Sequence, residues 1–204
     1  MILRPEQKQD ADQVMNQATV FDVMAGPALR RRDTRSRWAA NGALVVLSSF
    51  ILLASSRMSI DLGPVPVTMQ SIAVILLALV MGPRRSVAAA TLYFVQCWAI
   101  PGFSVRPMML TGGYVLGFVA AAAVAGHFYQ LGHGRSWVKA LVASTLANLS
   151  IFAIGLPWLA LSVGVSRAWE FGGRPFILVE VMKIICGVAL LRVTTSISDH
   201  LQKA

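Results

Sequence analysis

The sequence contains five long runs without Asp, Glu, Lys or Arg, and these runs constrain the fold more than any other feature. The runs are 38–56, 62–83, 86–105, 107–134 and 140–166. A helix needs about 20 residues to cross a hydrocarbon layer of about 30 Å, so each run is long enough to be a membrane span. A sixth apolar stretch follows at 175–191. The sequence therefore predicts an all-α integral membrane protein with six transmembrane helices.

Composition and charge agree with a membrane protein. Of the 204 residues, 56% are hydrophobic and only 13% are charged, which is too little polar surface for a soluble domain of this size. The net charge is +9. If the N-terminus is cytoplasmic and six spans alternate, thirteen Lys and Arg residues fall inside and four fall outside. This asymmetry predicts cytoplasmic termini and explains the basic charge without a nucleic-acid partner.

The charge pattern divides the chain into three parts. Residues 1–37 form a basic tail, 38–195 the six-helix domain and 196–204 a short C-terminal tail, with both tails expected in the cytoplasm. The N-terminal tail is either a partly disordered segment or a helix on an anionic lipid surface. The cysteines and histidines are too scattered to form a ligand set, so no metal site is expected.

Glu180 and Lys183 are the most informative residues, because both lie inside the last apolar stretch. Charged side chains within a membrane cost roughly 3 kcal/mol or more each on insertion scales. A spacing of three residues places both side chains on one helical face. They are therefore expected to contact each other or a common ligand, and the residues alone leave a structural ion pair and a binding site as alternatives.

The loop before the fourth helix is a second candidate binding region. Arg106 is the charged residue of this outward loop, and Gly112 and Gly113 are expected to open the helix that follows. Glycines allow close backbone approach, and a helix N-terminus presents free N–H groups. These features favour an anionic solute over a cation. The alternative is that Arg106 only extends to the membrane interface.

Several polar and small residues in other spans are further candidates. Thr68 and Gln70 enter an otherwise apolar second helix, where a glutamine needs a hydrogen-bond partner from a neighbouring helix or a ligand. Trp158 is either a core residue or a ring that stacks on a ligand. Ala39 and Ala43 are four residues apart in the first helix, so they allow close helix packing or docking of a partner membrane subunit.

The sequence argues against most enzymatic functions. It has no phosphate-binding GxxxxGK[ST] motif, so ATP hydrolysis is expected only on partner chains, and it has no HExxH or GxSxG motif. An intramembrane enzyme that uses Glu180 and Lys183 as acid and base remains an alternative. It is disfavoured because no further polar catalytic group accompanies the pair.

Three segments in this order resemble the BioY family: LGPVPVTMQSIAVILLALVMGPR, TGGYVLGF and GLPWLALSVGVSRAWEFGGRPFILVEVMK. That family is the biotin-specific S component of energy-coupling factor (ECF) vitamin transporters, and the resemblance covers roughly 39–192. It implies a prokaryotic plasma-membrane protein whose S-component fold has an outward-facing binding cup for biotin. Transport would then depend on a transmembrane coupling protein and two cytoplasmic ATPases. The family usually has Asp where this chain has Glu180.

The chemistry of biotin, with a ureido ring at one end and a carboxylate at the other, leads to a hypothesis for how the cup would hold it. Which end reaches Glu180 and Lys183 is left open by the sequence; in the hypothesis it is the ureido end. Glu180 would accept a hydrogen bond from a ureido N–H, while Lys183 would donate to the ureido oxygen. Arg106 and the backbone N–H groups near Gly112 and Gly113 would hold the carboxylate. The other residues expected at the cup are Thr68, Gln70, Tyr93, Tyr114 and Trp158. Another small anionic vitamin is the alternative ligand, and no cofactor is expected.

Overall fold

The computed structural model describes residues 34–61, 65–104, 106–130 and 137–201 of the chain. This part contains six helices of 12 residues or more, in agreement with the predicted number. They are α1 (Thr34–Arg57), α2 (Gln70–Met81), α3 (Pro83–Ala99), α4 (Met108–Gln130), α5 (Trp137–Val163) and α7 (Phe176–Leu201). A short helix α6 (Val165–Ala168) and a π-helical turn (Trp169–Gly173) connect α5 to α7. The predicted all-α class is confirmed.

Three of these helices are long and apolar enough to cross a membrane by length and composition: Arg35–Arg57, Met108–Phe128 and Trp137–Val163. Helix α2 is a shorter apolar helix of 12 residues. The connection before α2 contains the strand pair β1 (Ser59–Ile60) and β2 (Val67–Thr68), which are antiparallel. This small sheet was not predicted from the sequence.

Some predicted boundaries differ from the structure. Helix α1 begins at Thr34, within the predicted N-terminal tail, and α7 continues to Leu201, within the predicted C-terminal tail. Most of the N-terminal tail lies outside the described residues.

Between α2 and α3, Gly82 adopts a φ of 78° and Pro83 follows in the first turn of α3. A glycine tolerates this left-handed conformation and a proline suits a helix start, so α2 and α3 are joined by a very short turn.

Helices α4 and α5 pack closely because small residues line their interface. Gly113 and Gly117, four residues apart on α4, both face α5: a Cβ atom on Gly117 would lie 2.9 Å from Ile151 Cα. Ala121 and Ala125 continue this stripe on α4 and are fully buried. Small residues at this spacing let two helix backbones approach each other in a membrane. The glycines of TGGYVLGF therefore serve helix packing.

Candidate functional site

A cavity of about 610 Å³, including space at its open mouth, lies among the helices near the α1–α2 and α3–α4 connections. We call it the main cavity. Its apolar walls include five aromatic side chains, those of Tyr93, Tyr114, Phe118, Phe152 and Phe176. Its polar lining comes from Thr68, Gln70, Ser71, Ser104, Arg106, Thr111 and Glu180. An apolar cavity of this size with a few convergent polar groups is typical of a small-molecule binding site.

Glu180 and Lys183 form a buried ion pair at the inner end of the main cavity. The Lys183 Nζ atom lies 2.6 Å from Glu180 Oε1, and both side chains are less than 10% exposed. Ser71 Oγ donates to the same Glu180 oxygen at 3.0 Å, and Asn148 Nδ2 donates to Oε2 at 2.7 Å. The predicted proximity of the two charges is confirmed. Side chains from α2 and α5 hold the carboxylate in one orientation.

The hydrogen bonds of Lys183 leave it no donor for a ligand. Its ammonium group has three N–H donors. They are matched by three acceptors: Glu180 Oε1 at 2.6 Å, the Thr68 carbonyl oxygen at 2.6 Å and Ser71 Oγ at 3.1 Å. Lys183 does not line the main cavity. Glu180 does, and its Oε2 atom, with one donor bound, keeps a free acceptor position.

A second group of hydrogen-bonded polar side chains lines the main cavity. Gln70 Nε2 donates to Tyr93 OH at 2.8 Å, and Thr68 Oγ1 donates to Gln70 Oε1 at 3.1 Å. All three residues line the main cavity, and Tyr93 is almost fully buried. Gln70, the first residue of α2, thus has partners from α3 and from the preceding strand β2, as a buried amide requires.

Arg106 lines the exposed part of the main cavity, since its side chain is 36% exposed, whereas Glu180 lines a buried part. Its Nη2 atom donates to Asp61 Oδ1 at 2.6 Å. Ser104 Oγ donates to the Arg106 carbonyl oxygen at 2.6 Å, which fixes the loop backbone. The cavity therefore has a cation at its mouth and a paired carboxylate at its inner end.

Six of the predicted site residues line the main cavity: Thr68, Gln70, Tyr93, Arg106, Tyr114 and Glu180. Four do not. Lys183 lies behind Glu180, as described above. Gly112, Gly113 and Trp158 contact one another at the α4–α5 interface instead: a Cβ atom on Gly112 would lie 3.2 Å from Trp158 Cζ2.

The prediction that Gly112 and Gly113 open the fourth helix is wrong. Helix α4 begins five residues before Gly113, at Met108, so the backbone N–H groups of the glycines lie within the helix. Trp158 packs over them and donates from Nε1 to the Met109 carbonyl oxygen at 3.0 Å. The glycines leave room for this indole ring, and the contact of their N–H groups with a ligand is not supported.

The sequence did not identify two polar residues that shape the site, Ser71 and Asn148. Ser71 follows Gln70 directly, and nothing in the sequence distinguishes it from a serine that bonds its own helix. The sequence did contain a signal for a buried contact of Asn148, because it is the sole amide in the charge-free run 140–166. An amide inside a span requires a partner.

Among the described residues, no group of three His, Cys, Asp or Glu side chains is placed to hold a metal.

A bundle of apolar helices around a ligand-sized cavity is typical of a membrane protein that binds a small solute. Residues 25–199 match the BioY family, and the chain therefore belongs to that family. A relative from Pyrococcus horikoshii, "Probable biotin transporter BioY", is 34% identical over 155 residues, which are 72% of this chain and 91% of the relative. "Biotin transporter BioY2" from Lactococcus lactis subsp. cremoris is 31% identical over 163 residues, 73% of this chain and 88% of the relative.

A solved structure has the same fold. It is the crystal structure of the S-component for biotin from an ECF-type ABC transporter, with a TM-score of 0.68 and 16% sequence identity. The match covers 81% of this chain and 95% of that chain. The predicted S-component fold is thereby confirmed.

Proposed function

We propose that this protein captures biotin in the main cavity and mediates its uptake across a membrane. The observation that carries the proposal is the buried Glu180 carboxylate, which lines a cavity with aromatic walls. Its Oε2 atom has a free acceptor position, and the Lys183 ammonium balances its charge. The names of the curated relatives support the same ligand.

The charges of the main cavity favour one orientation of biotin. Biotin has a ureido ring with two N–H donors, an apolar thioether ring and a carboxylate tail. A carboxylate next to Glu180 would be repelled, and Lys183 has no donor left to hold it. The ureido end therefore belongs at Glu180 and the carboxylate at Arg106, with the aromatic walls around the thioether ring. This orientation replaces the expected bond from Lys183 to the ureido oxygen.

Competition binding tests the proposal. Radiolabelled biotin is titrated onto the purified protein in lipid nanodiscs, with unlabelled biotin, lipoate, riboflavin and thiamine as competitors. We expect saturable binding that only biotin displaces. Lipoate is the sharpest competitor, because it has a sulfur ring and a carboxylate tail but no ureido group for Glu180. Displacement by lipoate as readily as by biotin would favour another anionic vitamin as the ligand, and absence of saturable binding would exclude the proposal.

Asn148 offers a first prediction at the site. Replacing Asn148 by Leu removes the donor to Glu180 Oε2, so the carboxylate loses part of its fixed orientation. We expect the Kd for biotin to rise roughly tenfold, as is typical for a hydrogen bond to a charged group. Thr145→Val is the matched control, because Thr145 lies one turn away on α5, is exposed and bonds only the Leu141 carbonyl oxygen. An equal rise in both variants would contradict a specific role for Asn148.

Uptake would be energised by partner chains, a transmembrane coupling protein and two cytoplasmic ATPases of an ECF module. Ala39 and Ala43 are exposed on α1, and a Cβ atom on Gly42 between them would meet nothing within 4 Å. A strip of small exposed residues suits close contact with another membrane helix. It is the proposed docking strip. The charge asymmetry supports a position near the cytoplasmic side of the membrane, with both termini in the cytoplasm. Membership of the BioY family supports a prokaryotic plasma membrane as that membrane.

Bulky residues on this strip are expected to separate uptake from binding. In Ala39→Leu/Ala43→Leu the Kd for biotin should be unchanged, because neither residue lines the main cavity. Biotin uptake by cells that contain the partner chains should fall to background. Ala123→Leu is the control at an exposed alanine on α4. Normal uptake by the double variant would exclude the strip as the docking surface.

A further inference from the structure

Asp61 directly follows β1 and contacts Arg106, which lines the main cavity. Its Oδ1 atom accepts a hydrogen bond from Arg106 Nη2 at 2.6 Å. The position of Asp61 is fixed by the strand pair, in which the preceding residue, Ile60, lies opposite Val67. The backbone of the opposite strand is anchored in turn, because the Thr68 carbonyl oxygen accepts a hydrogen bond from Lys183. Asp61 is therefore held by a segment that is tied to the inner end of the cavity.

The Arg106 guanidinium has more donors than Asp61 uses. Five N–H groups are available on an arginine, and Asp61 contacts one nitrogen. The Arg106 Nε atom is buried and has no hydrogen-bond partner among the described residues. A buried N–H without a partner is unfavourable, so a small adjustment that gives this group an acceptor would be favoured. The guanidinium can thus bind a second carboxylate while Asp61 holds it.

A purely stabilising role for the Asp61–Arg106 pair is a weak explanation. The two side chains are 67% and 36% exposed, and exposed ion pairs contribute little to stability. The pair can instead fix the orientation of the Arg106 side chain. An arginine side chain has many rotamers, and fixing it before the ligand arrives lowers the entropy lost on binding.

From this geometry we infer that Asp61 is a positioning residue, which acts through Arg106 to orient the guanidinium toward the carboxylate of the ligand. The inference rests on the proposed function, since it concerns the arginine assigned to the biotin carboxylate. Asp61 itself carries the same charge as that carboxylate, so its contribution is the direction of Arg106 and not attraction of the ligand.

The test compares biotin with biotin methyl ester, which lacks the charged carboxylate. Asp61→Asn removes the charge with little change in shape. We expect its Kd for biotin to rise roughly tenfold, the effect typical of a weakened charged hydrogen bond, and its Kd for the ester to stay within about twofold. Arg57→Gln is the matched control, because Arg57 bonds the Gly102 carbonyl oxygen in the same outer region without lining the main cavity. It should change neither Kd.

A double variant shows whether Asp61 acts through Arg106. Arg106→Gln should weaken biotin binding and spare the ester, and Asp61→Asn/Arg106→Gln should be no weaker than Arg106→Gln alone. Additive losses, equal losses for biotin and ester, or tighter biotin binding by Asp61→Asn would overturn the inference. An Arg106→Gln variant that binds both ligands normally would overturn it while leaving biotin as the ligand. Failure of the unaltered protein to bind biotin would overturn the proposed function as well.

Discussion

Replacing Glu180 by Gln, or Lys183 by Met, is expected to abolish biotin binding and to destabilise the protein. Each single change leaves a charged group buried without its counter-charge, which costs about 3–5 kcal/mol in comparable buried pairs. In Glu180→Gln the new amide also cannot accept from both Lys183 and Asn148, because one end of an amide is a donor. Thermal unfolding in detergent measures the first effect, and equilibrium binding of labelled biotin measures the second.

The double variant Glu180→Gln/Lys183→Met separates the two effects. It removes both charges, so much of the stability lost in the single variants should return, since an apolar replacement of a whole buried pair is often neutral. Biotin binding should not return, because the acceptor for the ureido N–H has changed. Recovery of binding together with stability would show that the pair is only a structural ion pair, which is the alternative that the residues alone leave open.

Replacing Gly117 by Ala is the second change with a large expected effect, and it acts on the fold. The added Cβ atom would lie 2.9 Å from Ile151 Cα and 3.0 Å from the Ile151 carbonyl oxygen. Both are backbone atoms of α5, so a side-chain rotation cannot relieve the contact. Overpacking of this kind costs about 1–3 kcal/mol, which corresponds to a fall in melting temperature of several degrees for a chain of this length.

Gly42→Ala is the matched control for Gly117→Ala. A Cβ atom on Gly42 meets nothing within 4 Å, and Gly42 lies within helix α1. Alanine is favoured over glycine inside helices by roughly 1 kcal/mol, so this variant should be as stable as the unaltered protein or more stable. If the two variants unfold at the same temperature, the close approach of α4 and α5 is not a source of stability.

The sequence alone predicted the helical membrane fold and the contact between Glu180 and Lys183. Five charge-free runs and the apolar stretch 175–191 predicted the six helices, because a membrane span needs a long apolar length. The i, i+3 spacing gave the contact between Glu180 and Lys183, because helical geometry alone sets that distance. Aromatic and polar residues assigned to the cup, such as Tyr93, Tyr114 and Gln70, do line the main cavity.

The features that the sequence missed depend on contacts between distant segments. Asp61 and Arg106 are 45 positions apart, and no local pattern links them. Asn148 reaches Glu180 only because α5 and α7 are neighbours. The glycine pair at 112 and 113 was misread for a related reason: glycine allows close approach of any group, and here that group is the Trp158 side chain. Sequence alone does not tell which neighbour a glycine admits.

A structure of the protein determined with biotin bound tests the central claim most directly. We predict that biotin occupies the main cavity, with a ureido N–H within hydrogen-bond distance of Glu180 Oε2 and the carboxylate within hydrogen-bond distance of Arg106. The Lys183 ammonium should keep its three protein acceptors. Biotin bound outside this cavity, or with its carboxylate next to Lys183 and its ureido ring at Arg106, would contradict the account.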